Sequence, residues 1–235
     1  MVNDQFNEQG FLVLENYLTK EEQSQLISEC KRFEAENNHP VHIFKQCKEY
    51  FLASSDKVHY FYEDDGKTLN KIGHGLNFHS KVIHDLSERI KNEFTPNSRV
   101  LQTMFILKSA NVGGEVVPHQ DSTFLYTEPL STIGFWIPLD DCTLENGCLQ
   151  VIPGSHKLPV TSRFVHRDGK LFIEGESVFP EEGYVPLLVK KGSLVIIHGS
   201  IVHKSELNTS PHSRLAFTFH TIDNNAFYPK ENWLQ

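Results

Sequence analysis

Basic residues are in short supply in this 235-residue chain: 22 Lys and Arg stand against 30 Asp and Glu, for a net charge of −8 with histidine neutral. A phosphate backbone demands a concentrated basic surface, so nucleic acid is not an expected partner and a small molecule is. Long apolar runs are missing too. None approaches the ~18 residues that a membrane span requires, and the polar stretch Met1–Gly10 has no secretory core. The closing Asn232-Trp233-Leu234-Gln235 spells no peroxisomal or endoplasmic-reticulum address. No membrane association is expected, and a cytoplasmic location is. Cysteine is sparse: Cys30, Cys47, Cys142 and Cys148 form no C-x-x-C pair, in a chain too large to need disulfide staples. A reducing compartment fits. Internal repeats and low-complexity tracts are absent.

What the chain does contain is a globular balance, 39% hydrophobic and 22% charged, enough apolar side chain for one sizeable core. A single domain over residues 1–235 is expected, with helical support over about 1–98 and a β core over about 99–222. Gly10 to Leu14 reads as a short strand. Thr19-Lys20-Glu21-Glu22 then has the form of a capping box, and Leu26, Ile27, Cys30 and Phe33 recur at helical spacing behind it. Aromatics between Asn37 and Gly75 (Phe44, Tyr50, Phe51, Tyr60, Phe61, Tyr62) are scattered without a period. A second helix covers about Lys81 to Phe94 and stops ahead of Pro96, because the residue before proline is pushed out of the α region. From Val100 onward short β-rich runs alternate with turn dipeptides. The runs are Leu101–Lys108, Val116–Asp121, Ile133–Leu139, Cys148–Ile152, Tyr184–Val189, Ser193–His198 and Leu215–His220. Gly113-Gly114, Asn146-Gly147, Pro153-Gly154 and Asp168-Gly169 punctuate them. Helices followed by seven or eight strands predict an antiparallel sandwich or barrel with helices on one outer face and a pocket at its mouth.

His119-Gln120-Asp121 puts an imidazole and a carboxylate at i and i+2, which in a strand share one face. With a distant histidine this makes the 2-His-1-carboxylate facial triad, whose open positions suit non-haem iron(II). The same pattern recurs at His166-Arg167-Asp168, but there it runs into Gly169, so a hairpin turn with its side chains in water is expected. The bland reading of the first copy is a hydrogen-bonded surface pair. His203 is the expected third ligand. It follows the apolar run Leu194–Ile197, and Arg214 comes 11 positions later, so that the two are expected on neighbouring strands. His198 is its rival, read as a core histidine because no arginine stands at a matching interval. Alternation places Arg214, Ala216 and Thr218 on one face of their strand and Leu215, Phe217 and Phe219 on the other. A buried guanidinium stays charged and requires an anion. 2-Oxoglutarate supplies two carboxylates: its keto-acid end can chelate iron while the distal carboxylate pairs with Arg214, with the Ser205 hydroxyl beside it.

The segments Gly113–Asp121, Phe124–Leu130, Leu144–Leu149 and Ile152–His156 resemble the phytanoyl-CoA dioxygenase family. So do Phe11–Leu14, Asn70–His74, Ile197–Gly199, Val202–Ser205 and Glu231–Gln235, so that the likeness runs nearly end to end. The resemblance implies a mainly β fold with flanking helices, the double-stranded β-helix of jelly-roll or cupin-like barrels. It implies iron on His119, Asp121 and His203, and 2-oxoglutarate contacts from Arg214, Ser205, Lys71, Met104 and Trp136. Taken on their own, the last three read as a solvated lysine and two core side chains. The implied activity is an Fe(II)- and 2-oxoglutarate-dependent dioxygenase that uses O2, hydroxylates a small organic or acyl-type substrate and releases succinate and CO2. Glu63–Thr68, Ser131–Gly134 and Arg163–Tyr184 are shorter than the family pattern. Loops around such a mouth select the substrate, so phytanoyl-CoA itself is not carried over. Two other readings of the same ligands stand beside this one: a cupin-like hydrolase or isomerase with zinc or manganese, and a module that binds 2-oxoglutarate without turnover.

Overall fold

A computed structural model describes residues 4–36 and 56–235 together with the backbone of His42–Ile43. The N-terminal third opens with helix α1 (Asp4–Gln9), strand β1 (Phe11–Leu14) and helix α2 (Lys20–Ala35). Helix α2 begins where the capping box predicts: the Glu22 amide donates to Thr19 Oγ1 at 3.2 Å and the Thr19 amide donates to Glu22 Oε2 at 2.9 Å. Strands β2 (His42–Ile43), β3 (Val58–Tyr62) and β4 (Leu69–His74) follow, then α3 (Leu76–His79) and α4 (Lys81–Phe94). Helix α4 ends ahead of Pro96 as expected, and the Ser80 hydroxyl caps its start by accepting the Ile83 amide at 3.2 Å.

The remaining strands are β5 (Ser98–Lys108), β6 (Val116–His119), β7 (Ile133–Pro138), β8 (Leu149–Val151), β9 (Ser162–Arg167), β10 (Lys170–Gly175), β11 (Val185–Pro186), β12 (Leu194–His198), β13 (His203–Ser205) and β14 (Arg214–Asp223). An eight-stranded sheet runs β1-β12-β7-β14-β5-β4-β3-β2, a four-stranded sheet runs β11-β8-β13-β6, and β9 with β10 forms a separate hairpin. This is the jelly-roll architecture: two sheets facing one another around a cavity. The N-terminal third is more than helical support, because β1 extends one edge of the major sheet and β4, β3 and β2 extend the other. Scattered aromatics conceal β3. Its Tyr60 and Phe61 are both buried, one on each face, so no alternation shows in the sequence. Phe44, Tyr50 and Phe51 lie outside the described residues.

Period-two alternation gives the major sheet two different faces. Phe105, Phe135, Ile137, Leu194, Ile196, Phe217 and Phe219 pack with Leu26, Cys30 and Phe33 of α2 and Ile83, Leu86 and Ile90 of α4 in one core cluster. Phe135 and Phe219 stack at 4.6 Å between centroids. Each such side chain, fully buried, contributes about 1.5–3 kcal/mol. The opposite face carries Met104, Lys108, Trp136, Arg214, Thr218 and His220 toward the cavity. Asp168 and Gly169, both at positive φ (52° and 74°), form the turn between β9 and β10, as their dipeptide predicts. Among the described residues, the thiols of Cys30, Cys142 and Cys148 are free and buried, and no helix is long and apolar enough to cross a membrane. Cys47 lies outside them.

Candidate active site

In the minor sheet, β13 lies between β8 and β6, and His203 pairs in register with His119. Asp121 has left the strand and opens a short 3-10 turn (Asp121–Thr123), where the sequence predicts strand. Gln120 stays extended at φ −115° and ψ 130°, so the carboxylate still returns to the histidine side. Asp121 Oδ1 lies 3.5 Å from His119 Nε2 and 3.7 Å from His203 Nε2, and the two imidazole centroids are 4.1 Å apart. Among the described residues these three form the one group of His, Cys, Asp or Glu side chains able to hold a metal ion, with ligand atoms all within 4.8 Å of one another.

Both imidazoles are oriented by backbone. His119 Nδ1 lies 2.9 Å from the Val117 carbonyl and His203 Nδ1 3.1 Å from that of Ile201, so each Nδ1–H donates and each Nε2 lone pair faces the centre. Burial, then the neighbouring His119, pulls His203 down to about 4, which keeps it neutral and ready to ligate. Burial alone would raise the Asp121 carboxyl. The surrounding histidines, His220 and His203 first, outweigh it and hold the group well below the usual carboxylate range.

A cavity of about 130 Å³ adjoins the three side chains, and Lys71, Met104, Trp136, Ser205 and Arg214 all line it. The three expected metal ligands and the five expected 2-oxoglutarate contacts therefore all line a single small space. His203 and Arg214 are not on neighbouring strands, however. His203 belongs to the minor sheet and Arg214 to the major sheet, and they face each other across the cavity. The loop between them crosses from one sheet to the other instead of closing a hairpin. Arg214 is 2% exposed, its Nε has no hydrogen-bond partner, and its guanidinium lies 5.4 Å from the Trp136 ring centroid. Among the described residues no carboxylate pairs with it. Burial pulls its pKa down. Lys71 is drawn down to about 8 by burial, against the pull of Asp121. It is half-buried, where its bland reading placed it in solvent.

His198 does not join the group. Its Nδ1 accepts the Ser200 amide at 3.0 Å and its ring packs 5.2 Å from that of His156. His166 and Asp168 sit at the end of the β9–β10 hairpin, where Asp168 is exposed and His166 is half-buried, short of the solvent exposure expected of it.

Two cavity residues escaped the sequence reading. Lys108, 1% exposed, donates from Nζ to the Gly114 and Glu206 carbonyls and is drawn down to about 7 by burial and then by Arg214. His220 places Nε2 3.1 Å from Asp121 Oδ2. The signal for both was parity: 104, 106 and 108 share one face of β5, and 214, 218 and 220 share one face of β14.

The donor set fits a divalent iron: two imidazole nitrogens and one carboxylate, converging beside a space large enough for a further small ligand. The unpartnered guanidinium at that space fits a carboxylate on the ligand.

A profile of the phytanoyl-CoA dioxygenase (PhyH) family matches residues 6–216. Phytanoyl-CoA dioxygenase domain-containing protein 1 of Rattus norvegicus is 38% identical over 268 residues, an alignment covering 98% of this chain and 92% of the rat protein. That alignment is longer than the chain, so the rat protein has segments that this one lacks. Among solved structures, the non-heme alpha ketoglutarate dependent carbocyclase SnoK from nogalamycin biosynthesis superposes with a TM-score of 0.68 at 21% identity, over 97% of this chain and 85% of its own. The epimerase SnoN in complex with Fe3+, alpha ketoglutarate and nogalamycin RO gives 0.69 at 18% identity, over 96% and 84%. These two likenesses speak to the fold.

Proposed function

Since the chain belongs to the phytanoyl-CoA dioxygenase family, we propose that His119, Asp121 and His203 hold its iron(II), and that Arg214, with Ser205 beside it, receives the distal carboxylate of 2-oxoglutarate. The enzyme is a 2-oxoglutarate-dependent dioxygenase, with iron as cofactor and O2 as co-substrate. The bound group supplies the oxidation: 2-oxoglutarate loses CO2 and becomes succinate, which keeps one atom of O2, and the other enters a C–H bond of the substrate as a hydroxyl.

The chain's own residues supply position and charge. Arg214 is the observation that carries the reading, because a buried guanidinium without a carboxylate partner is costly until an anion arrives. Trp136 holds it in place through its ring face. Lys71, near enough to Asp121 to feel its charge, adds a second positive charge, and Met104 lines the same cavity. A zinc or manganese hydrolase would have no use for Arg214. A wider groove of about 680 Å³ passes His119 and Lys204 and is lined by Phe124, Ile173, Phe179 and Tyr184. Its apolar and aromatic walls suit the body of a small organic or acyl-type substrate.

The test is succinate production by iron-loaded protein given O2 and 2-oxoglutarate. Wild-type protein is expected to release succinate and Asp121→Ala to release none. Equal release from the two would refute the assignment, and 2-oxoglutarate binding without oxygen-dependent succinate would favour a non-catalytic module.

A further inference from the structure

The two oxygens of Asp121 keep different company. Oδ1 faces the ligand nitrogens of His119 and His203 at 3.5 and 3.7 Å. Oδ2 is turned to the other side, where His220 Nε2 stands 3.1 Å away. His220 in turn is fixed across the β5–β14 ladder by its register partner Gln102, whose Nε2 lies 3.0 Å from His220 Nδ1. With the amide N–H donating to Nδ1, the ring proton sits on Nε2 and is donated to Oδ2. Both side chains are buried, at 5% and 6% exposure, which shields the two bonds from bulk solvent. On the opposite flank the register partner of His220 is Gly134, where an added Cβ would stand 3.3 Å from Oδ2. The backbone is thus cut away where this oxygen sits.

We propose that His220, aligned by Gln102, is a positioning residue that occupies Oδ2 of Asp121, so that the carboxylate gives the metal Oδ1 alone and leaves adjacent positions for a chelating keto acid. The proposal rests on the metal reading above. A carboxylate free at both oxygens can chelate the ion itself and fill a position that 2-oxoglutarate needs. The hydrogen bond to Oδ2 removes that alternative. It also fixes the carboxylate plane before the ion arrives.

The experiment uses Co(II) as probe on the full chain. It compares wild type, Asp121→Ala, His220→Leu, His220→Gln and Gln102→Leu, each first checked by circular dichroism for a native fold. The readouts are Co(II) affinity by chelator competition, the visible d–d spectrum, and 2-oxoglutarate affinity of the Co(II)-loaded protein. Loss of the N–H donated to Oδ2 in His220→Leu is expected to weaken Co(II) binding roughly 10–100-fold, to change the d–d spectrum, and to weaken 2-oxoglutarate binding. His220→Gln, which keeps an amide N–H near the Nε2 position, restores all three toward wild type. Gln102→Leu shifts them in the same direction as His220→Leu but less. A folded His220→Leu with wild-type spectrum and 2-oxoglutarate affinity overturns the proposal, as does a loss that His220→Gln fails to rescue, since the ring would then merely fill space. If His220→Leu does not fold, Gln102→Leu decides, and wild-type values there overturn it. Normal Co(II) uptake that Asp121→Ala abolishes, with no effect at His220, sinks this inference alone. Absence of uptake by wild type sinks the metal reading and this one with it.

Discussion

Replacing Arg214 by methionine should make the empty enzyme more stable and the working enzyme useless. The guanidinium is 2% exposed, lacks a hydrogen-bond partner at Nε and has no paired carboxylate among the described residues. Keeping an ion in such a place costs several kcal/mol even after relaxation, of which the Trp136 ring, 5.4 Å away, returns ~1–2. Methionine has a similar reach and no charge, so the ligand-free variant should gain roughly 2 kcal/mol. At ~2–4 °C per kcal/mol for a domain of this size, Tm rises by about 4–8 °C. Binding moves the other way. Truncating one partner of a buried, hydrogen-bonded charge pair costs ~2–5 kcal/mol, so 2-oxoglutarate affinity should fall by a factor of about 30 to several thousand. Thermal unfolding of both proteins, with Mn(II) alone and with Mn(II) plus 2-oxoglutarate, reads both effects. The reasoning is refuted by an Arg214→Met protein that melts below wild type without ligand, or by one that 2-oxoglutarate protects as well as it protects wild type.

Thr19→Ala removes the hydroxyl that accepts the Glu22 amide at the start of α2, while the backbone half of the capping box stays, and should cost about 1 kcal/mol. Tm falls while succinate formation per folded molecule is unchanged, and a drop in turnover would mean that α2 reaches the site. His198 is drawn from 6.5 down to about 4, by burial first and then by His156. Between those values the unfolded chain binds a proton that the native chain does not. Stability is therefore full above pH ~6.5 and declines as pH falls toward ~4, by up to roughly 3 kcal/mol. Urea unfolding at several pH values should show a flatter profile in His198→Asn, and identical profiles would reject the assignment. Gly134→Ala puts a Cβ 2.7 Å from Ile197 Cγ1 and 3.3 Å from Asp121 Oδ2. Overpacking costs about 1–3 kcal/mol, and Co(II) affinity should fall further than that destabilisation accounts for. An unchanged affinity would show that the carboxylate tolerates the push.

The parts of the molecule that were legible in advance are those governed by local rules. A capping box and a 3.6-residue stripe mark α2, a proline ends α4, and a period of two sorts β14 into Phe217 and Phe219 on one side and Arg214 and Thr218 on the other. His119 and Asp121 declare themselves because i and i+2 share a face. What stayed hidden depends on partners far away in the chain. Strand β13 is three residues long, too short to show a period, and exists because β8 and β6 flank it. Strand β3 is apolar on both faces. That His203 and Arg214 belong to opposed sheets follows from the crossing of the loop between them, and no alternation encodes that. The expected strand over Tyr184–Val189 contracts to Val185–Pro186, where pairing with β8 is available. His220 was reachable by counting two further residues along the Arg214 face, but its meaning comes only from its approach to Asp121.

The pairing of residue 119 opposite residue 203 has a mechanical side. Strand β6 has only four residues and lies at the margin of its sheet, with one neighbour to grip it. An ion shared by those two rungs would rivet the short ribbon to β13, so that loading the catalyst also fastens the border of the fold. Amide hydrogens of Val116 and Val117 would then exchange more slowly in the charged enzyme than in the apoprotein, tying the lifetime of that margin to the supply of metal.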